Sequence, residues 1–422
     1  MEIVSAVSQR RRAFVLGVLA VGFTLCGIDR QLVGVLAGPI KHDLTFSDTQ
    51  LGLMAGLAFT LFYSTCALPL ALLADRWKRY AVFSISLAFW SLCTALCGMS
   101  HSGGQFFLAR MGVGFGEAGG LAPALSLIAS YYPPEKRARA IAVFNFATPV
   151  AVGVGPVMAG SLGAMWGWRA VFFIAGLLGV ALVPFVVWAT RNPERFERAN
   201  RSNPNIVSTD TFVAIRRLLK TSSFWFMSVG GGTCALVLNG LLFWLPSFFQ
   251  RTFGLGLFER SAYFGGIMFV SGLIGIWTGG WLSDSLARSD RRLYALIPAG
   301  SGLLSIPFYL VAFNVPWLWL ALPLLTVGLI LSFIYSTPVL ATMQHLVPAE
   351  SRATSSAMHL IINSFLGIGL GVVAVGFLSD QLAAHYGANS LKAAIIASTF
   401  VYLGSAALFL FASRTLKRDW IE

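Results

Sequence analysis

Read by hydropathy, the chain is a succession of apolar runs separated by short polar turns. The runs cover residues 13–36, 49–74, 80–99, 105–130, 140–164, 170–190, 222–249, 261–283, 293–313, 317–345, 354–378 and 392–413. A hydrocarbon core of ~30 Å takes about 20 residues of helix to cross. The pattern therefore predicts an all-α integral membrane protein with twelve transmembrane helices. One long polar stretch, "RNPERFERANRSNPNIVSTDTFVAIRRLLK" over 191–220, divides the spans six and six. It predicts an N-terminal six-helix bundle over 1–190, a cytoplasmic linker over 191–220 and a C-terminal six-helix bundle over 221–422.

Composition agrees: 56% of the 422 residues are hydrophobic and 11% charged, against roughly 25% charged in a soluble domain. The formal net charge of +13 invites a nucleic-acid reading, but the positions of the 30 Lys and Arg decide against it. With the N-terminus inside, only Lys41, Arg169, Arg251, Arg260 and Lys392 fall on the outer side, and Arg30 and Arg110 fall within spans. The rest gather in cytoplasmic turns, as the positive-inside rule requires of an even number of spans. All five cysteines lie within apolar runs, so no extracellular disulfide framework is implied. "RRRAFVLG" at the start looks like the opening of a signal peptide, but the run behind it is long and carries Asp29. It reads as a retained first span.

The two halves echo each other. "ALLADRWKR" between spans 2 and 3 answers "GWLSDSLARSDRR" between spans 8 and 9, and "PPEKRARA" before span 5 answers "PAESRATS" before span 11. Matching signatures at equivalent places imply two pseudo-symmetric bundles related by an axis along the membrane normal, with a binding site between them.

Charges within the spans are functional candidates by default, because an ionised side chain is costly at mid-membrane. Asp29 and Arg30 in span 1 and Arg110 and Glu117 in span 4 stand out. Arg110 and Glu117 are seven apart, so at 100° per residue they share one helix face two turns apart. Span 1 runs outward and span 4 inward, which brings Asp29 to the depth of Arg110 and predicts an ion pair between them. A carboxyl beside an arginine that comes and goes can take up and release a proton, and Glu117 is the best placed to do so. Arg30 and Arg110 are the only deep cations, and a guanidinium fork pairs best with carboxylate or phosphate. "GFGEAG" over 114–119 spells a dinucleotide fingerprint, but it lies mid-span without the preceding strand and the later ribose-binding acid. On the helical wheel Gly112, Gly116 and Gly120 form a small-residue ridge away from Arg110, which serves helix packing. His359 reads as a packed residue. Trp90, Phe144, Trp244, Tyr335 and Asn363 are open to a cavity-lining or a lipid-facing reading. Spacing for metal ligands is absent.

Over essentially its whole length the sequence resembles the major facilitator superfamily of secondary transporters. Its hallmark G-x-L-A-D-R-x-x-R-R appears as "ALLADRWKRY", with Ala71 for the glycine and Tyr80 for the last arginine. "DRQLVGVLAGPIKHDLTFSDTQLGL" together with "ARMGVGFGEAGG" is similar to the spinster-like subfamily of lipid and amphiphile transporters. The resemblance implies that Asp29, Arg30, Arg110 and Glu117 fall on matching motif positions. It also implies a cytoplasmic gate in which Asp75, Arg76 and Arg79 latch against the start of span 11 at Arg352, mirrored by Asp284 near span 5 at Arg137.

The expectation is a secondary transporter of an anionic amphiphile, lysolipid or sphingolipid-like, working by alternating access and coupled to protons. It is expected to be a multi-pass monomer in the lipid bilayer of the cell membrane with both termini cytoplasmic. It would be no enzyme, and it would use no metal, no nucleic acid and no cofactor beyond a proton gradient. The alternatives are a proton-coupled transporter of small organic or aromatic acids, a uniporter whose charges bind substrate only, and, least favoured, a non-transporting receptor or scaffold.

Overall fold

The computed structural model describes residues 9–191, 216, 218–286, 290–348 and 351–421, and among them it is helical with no strand. In lipid every backbone N–H and C=O must be satisfied within the segment, which leaves helices as the natural solution for such runs. The first half folds as α1 (Gln9–Val35), α2 (Ala37–Leu44), α3 (Asp48–Gly52), α4 (Phe59–Arg76), α5 (Arg79–Gly98), α6 (Gly103–Ala118), α7 (Leu121–Tyr131), α8 (Pro134–Asn145) and α9 (Ala147–Thr190). The second half continues with α10 (Ser222–Phe253), α11 (Leu257–Leu286), α12 (Leu293–Asn314), α13 (Leu318–Phe333), α14 (Ser336–His345), α15 (Arg352–Ser364), α16 (Gly371–Tyr386), α17 (Ser390–Thr399) and α18 (Val401–Asp419). The π-helical segments Leu53–Ala58 and Phe365–Leu370 lie within the second and eleventh spans.

Among the described residues ten helical runs are long and apolar enough to cross a membrane, and two of them, 139–190 and 354–419, hold 52 and 66 residues. Each is too long for one crossing. The first breaks at Gly167, whose φ of 79° and ψ of 164° leave the helix in a region that a side chain would disfavour. The second breaks at the short 3-10 turn Gly387–Asn389. Counted so, the runs match the twelve spans of the hydropathy pattern, and the protein is a multi-pass membrane protein. At the Gly167 corner the next two residues clasp α2: the Trp168 indole donates to Asp43 Oδ2 at 2.9 Å and Arg169 Nη1 at 2.6 Å. These two bonds, the indole's first, hold the Asp43 carboxyl below its ordinary range.

The chain forms two compact units. Unit 1 takes residues 1–46, 58–206 and 257–265; unit 2 takes 47–57, 207–256 and 266–422. Each half of the sequence thus lends a short segment to the other's unit, the start of the second span to unit 2 and the start of the eighth to unit 1. Of the polar stretch 191–220, only Arg191, Arg216 and 218–220 are described; the rest of the expected linker lies outside the described residues. In unit 1 the main packing is of α9 on α1 and α5, and of α6 on α4 and α5; in unit 2, α10 packs on α18, and α12 on α13 and α18.

The lent segment 47–57 is fastened into unit 2 by polar bonds and by close backbone packing. Ser47 opens α3 with a capping box closed by Gln50. Asp48, 2% exposed, receives both nitrogens of the Arg251 fork, at 2.7 and 2.8 Å, and the Ser379 hydroxyl at 2.8 Å. Asp380 in turn accepts the backbone N–H of Asp48 and Thr49 and the Thr49 hydroxyl. Below this, a side chain at Gly52 or Gly56 would press within 2.9 Å of carbonyl oxygens on the eleventh span. Hydropathy alone did not reveal this network. The only local sign was the capping-box spacing of Ser47 and Gln50.

Candidate functional site: a charged quartet in unit 1

Asp29 and Arg30 are neighbours on α1, so their side chains leave the helix about 100° apart and serve different partners. Asp29, 3% exposed, accepts Arg110 Nη1 at 3.0 Å and the Thr94 hydroxyl at 3.1 Å. Arg30 donates its Nε to Glu117 Oε2 at 2.7 Å. Two ion pairs therefore join the first and fourth spans at two levels, as the two-turn separation of Arg110 and Glu117 on α6 requires. The Asp29–Arg110 pair is the one that depth along the spans predicts. The Arg30–Glu117 pair was not anticipated from the sequence, because which way Arg30 turns depends on how α1 is rotated.

The pairs differ in access. Arg110 and Asp29 are sealed, at 2% and 4% side-chain exposure, whereas Arg30 is 33% exposed and Glu117 fully buried. Glu117 keeps its second oxygen, Oε1, buried without a partner, and so does Arg110 its Nε. Phe59 lies 5.4 Å from each of the two guanidinium groups, with Tyr63 4.9 Å from that of Arg30. The two rings stack one turn apart on α4. Aromatic faces stabilise a cation that has lost water. Thr94, Phe59 and Tyr63 belong to the site and carried no sequence signal, since hydroxyls and aromatics are scattered through every span.

The glycines of "GFGEAG" hold α6 against its neighbours. A methyl group at Gly116 would sit 2.7 Å from the backbone nitrogen and the Cβ of Trp90 on α5, and one at Gly114 would sit 2.8 Å from the Phe59 carbonyl. Just past Glu117 the span breaks, with Gly119 and Gly120 between α6 and α7. Gly116→Ala presses against backbone that cannot turn aside, so it should cost about 1–3 kcal/mol and lower the melting temperature in detergent. Gly104→Ala, where nothing lies within 4 Å, should leave it unchanged or higher. Equal melting of the two variants would show that α5 yields.

The other sequence candidates are dispersed. Trp90, Phe144 and Trp244 are buried in helix packing, the last with its indole donating to the Val372 carbonyl at 2.9 Å. His359 is buried, with Nδ1 3.4 Å from the Ser228 hydroxyl. Tyr335 is buried, and Asn363 holds a buried Oδ1 without a partner. Of the gate residues, Arg79 donates to the Ser130 hydroxyl at 3.2 Å and Arg137 to the Tyr132 carbonyl at 3.0 Å. Arg76, Asp284 and Arg352 are exposed, and the Asp75 side chain lies outside the described residues. Among the described residues no group of three or more His, Cys, Asp and Glu is arranged to hold a metal.

The sequence profile of the Major Facilitator Superfamily matches residues 19–372. An MFS-type efflux pump of Mycolicibacterium smegmatis is 34% identical over 98% of this chain and 95% of its own. Protein spinster homolog 1 of Xenopus tropicalis is 27% identical over 99% of this chain and 84% of its own. A crystal structure of a bacterial homologue of the human lysosomal transporter spinster, inward-facing and unoccupied, superposes with a TM-score of 0.90 at 28% identity, covering 99% of this chain and 100% of that one. These relatives are transporters and not enzymes, and their likeness runs the length of the chain. The chain belongs to the Major Facilitator Superfamily, to its spinster-like transporters.

Proposed function

We propose that this transporter carries an anionic amphiphile, of the lysolipid or sphingolipid-like class, by alternating access coupled to protons, with Arg30 and Glu117 as the exchanging pair. The observation that carries the reading is the 2.7 Å pair between a one-third exposed guanidinium and a fully buried carboxylate. Arg30 carries one positive charge, so it can neutralise one anion at a time. While Glu117 is ionised it occupies Arg30; once Glu117 takes a proton, the guanidinium is open to the carboxylate or phosphate of a substrate. Each anion bound is thus tied to a proton taken up. Asp29 and Arg110, sealed from solvent, position α1 against α6 so that this exchange happens at one place.

The apolar and aromatic surroundings of Arg30 favour a substrate with an apolar body over a sugar, which would need many hydrogen-bond partners. The remaining parts of the proposal are the cytoplasmic latch of Asp75, Arg76 and Arg79 with Arg352 and of Asp284 with Arg137, the bundles 1–190 and 221–422, and the cell membrane with both termini cytoplasmic. We propose a monomer whose only cofactor is the proton gradient. A second reading, export of small organic or aromatic acids, draws support from the efflux pump at 34% identity.

A thermal-shift screen of the purified protein against lysolipids, sphingoid bases, aromatic and hydroxy carboxylates and a neutral sugar separates these. An anionic amphiphile should stabilise the wild type and lose its effect in Arg30→Gln. Stabilisation by aromatic or hydroxy carboxylates alone selects the second reading, and stabilisation by the sugar, retained in Arg30→Gln, overturns both.

A further inference from the structure

Away from the charged quartet, unit 1 carries a groove of about 870 Å³ between the start of α1 and the end of α9. Its rim is basic: Arg10 and Arg11 open α1, and Arg191 follows α9 directly. Its wall is apolar: Phe14 stands edge-on to Trp188 at 5.2 Å, one turn inward from the arginines, with Val187 beside them. Phe14 and Trp188 are 41% and 71% exposed. Among the described residues that line it none is a carboxylate.

We infer that this groove is a binding site for an anionic phospholipid of the membrane leaflet facing the N-terminus. Two features together select that occupant. Three guanidinium groups at one rim attract a phosphodiester and repel the choline of a zwitterionic lipid, and basic pockets between helices at the cytoplasmic surface are suited to anionic head groups. A free phosphate would satisfy the arginines but leave the Phe14–Trp188 wall uncovered, whereas acyl chains cover it while the head group stays at the rim. Tryptophan is at home at this level, its ring in the apolar layer and its N–H towards the head groups. The charge distribution along the chain places this rim at the inner leaflet. The site is separate from the transport reading and stands whichever cargo proves correct.

Native mass spectrometry of the purified transporter with equal amounts of phosphatidylglycerol and phosphatidylcholine tests it. The wild type should retain phosphatidylglycerol preferentially. Arg10→Gln/Arg11→Gln/Arg191→Gln should weaken the tightest phosphatidylglycerol adduct by roughly a hundredfold, about fivefold per guanidinium, without changing phosphatidylcholine retention. Brominated phosphatidylglycerol should also quench more fluorescence in the wild type than in Trp188→Phe, and the brominated choline lipid should not; this measurement needs no charge variant to fold. Equal retention of both lipids by the wild type, undiminished retention by the triple variant, displacement of the adduct by inorganic phosphate, or no quenching difference at Trp188 would each overturn the assignment.

Discussion

Glu117→Gln should abolish accumulation of substrate driven by a pH gradient in proteoliposomes while leaving counterflow exchange intact. The amide keeps the volume of the carboxyl and offers an oxygen to Arg30 Nε, so the 2.7 Å contact and the packing of α6 survive. What it loses is the ability to change charge. A neutral residue 117 no longer competes with an anion for Arg30, so the substrate binds and the transporter still cycles loaded. The proton step, however, is gone. Coupling between two ligands is typically worth 1–3 kcal/mol, which is roughly 5- to 150-fold in affinity, and a loss of that size is the expected fall in concentrative uptake. Uptake measured across external pH should become flat in the variant. A retained pH dependence would move the proton to another carboxyl, of which Asp29, held by Arg110 and Thr94, is the next in reach.

Arg251→Ala should loosen the hold of unit 2 on the segment 47–57. It strips both fork donors from Asp48, which is 2% exposed and would keep the Ser379 hydroxyl. Removing one partner of a buried pair costs 3–5 kcal/mol, chiefly from the charge left behind; with the Arg251 side chain 28% exposed, about 2–3 kcal/mol is the expected loss. The melting temperature in detergent should fall by several degrees. Arg251→Lys should recover only part, because an ammonium cannot make the two parallel bonds. Asp48→Asn/Arg251→Gln should be milder than Arg251→Ala, since it removes the buried charge together with its guanidinium. If Arg251→Ala melts with the wild type, water reaches Asp48 and the segment 47–57 is held by its glycine contacts instead.

These two sites also mark how far the sequence could be read. The twelve crossings were legible because hydropathy over 20 residues is a property of the chain itself. Even the helical run Ala147–Thr190, interrupted at Gly167, is long enough to show two spans. Asp29, Arg30, Arg110 and Glu117 were legible for the same reason, as a charge in an apolar run is conspicuous. Their pairing was only half legible: depth follows from counting residues, but rotation of α1 against α6 does not, and so Arg30–Glu117 went unseen. Phe59 and Tyr63, two among many aromatics, gain their role only from the guanidinium groups laid over them. The Asp48 network escaped for a different reason. It joins residues 331 and 332 positions apart, and its acids sit at span ends, where acids are unremarkable.

That separation has a consequence for how the protein is made. Asp48 enters the growing chain more than 300 residues ahead of Ser379 and Asp380, and at 5–20 residues per second the ribosome needs roughly 15–65 s to supply them. For the first 203 residues of that interval the second span has a carboxylate at its mouth and neither Arg251 nor Ser379 to receive it, and for the remainder Arg251 alone. The opening turn of that span therefore waits at the membrane surface, and the insertion of a segment near the N-terminus is completed only by one of the last helices to leave the ribosome.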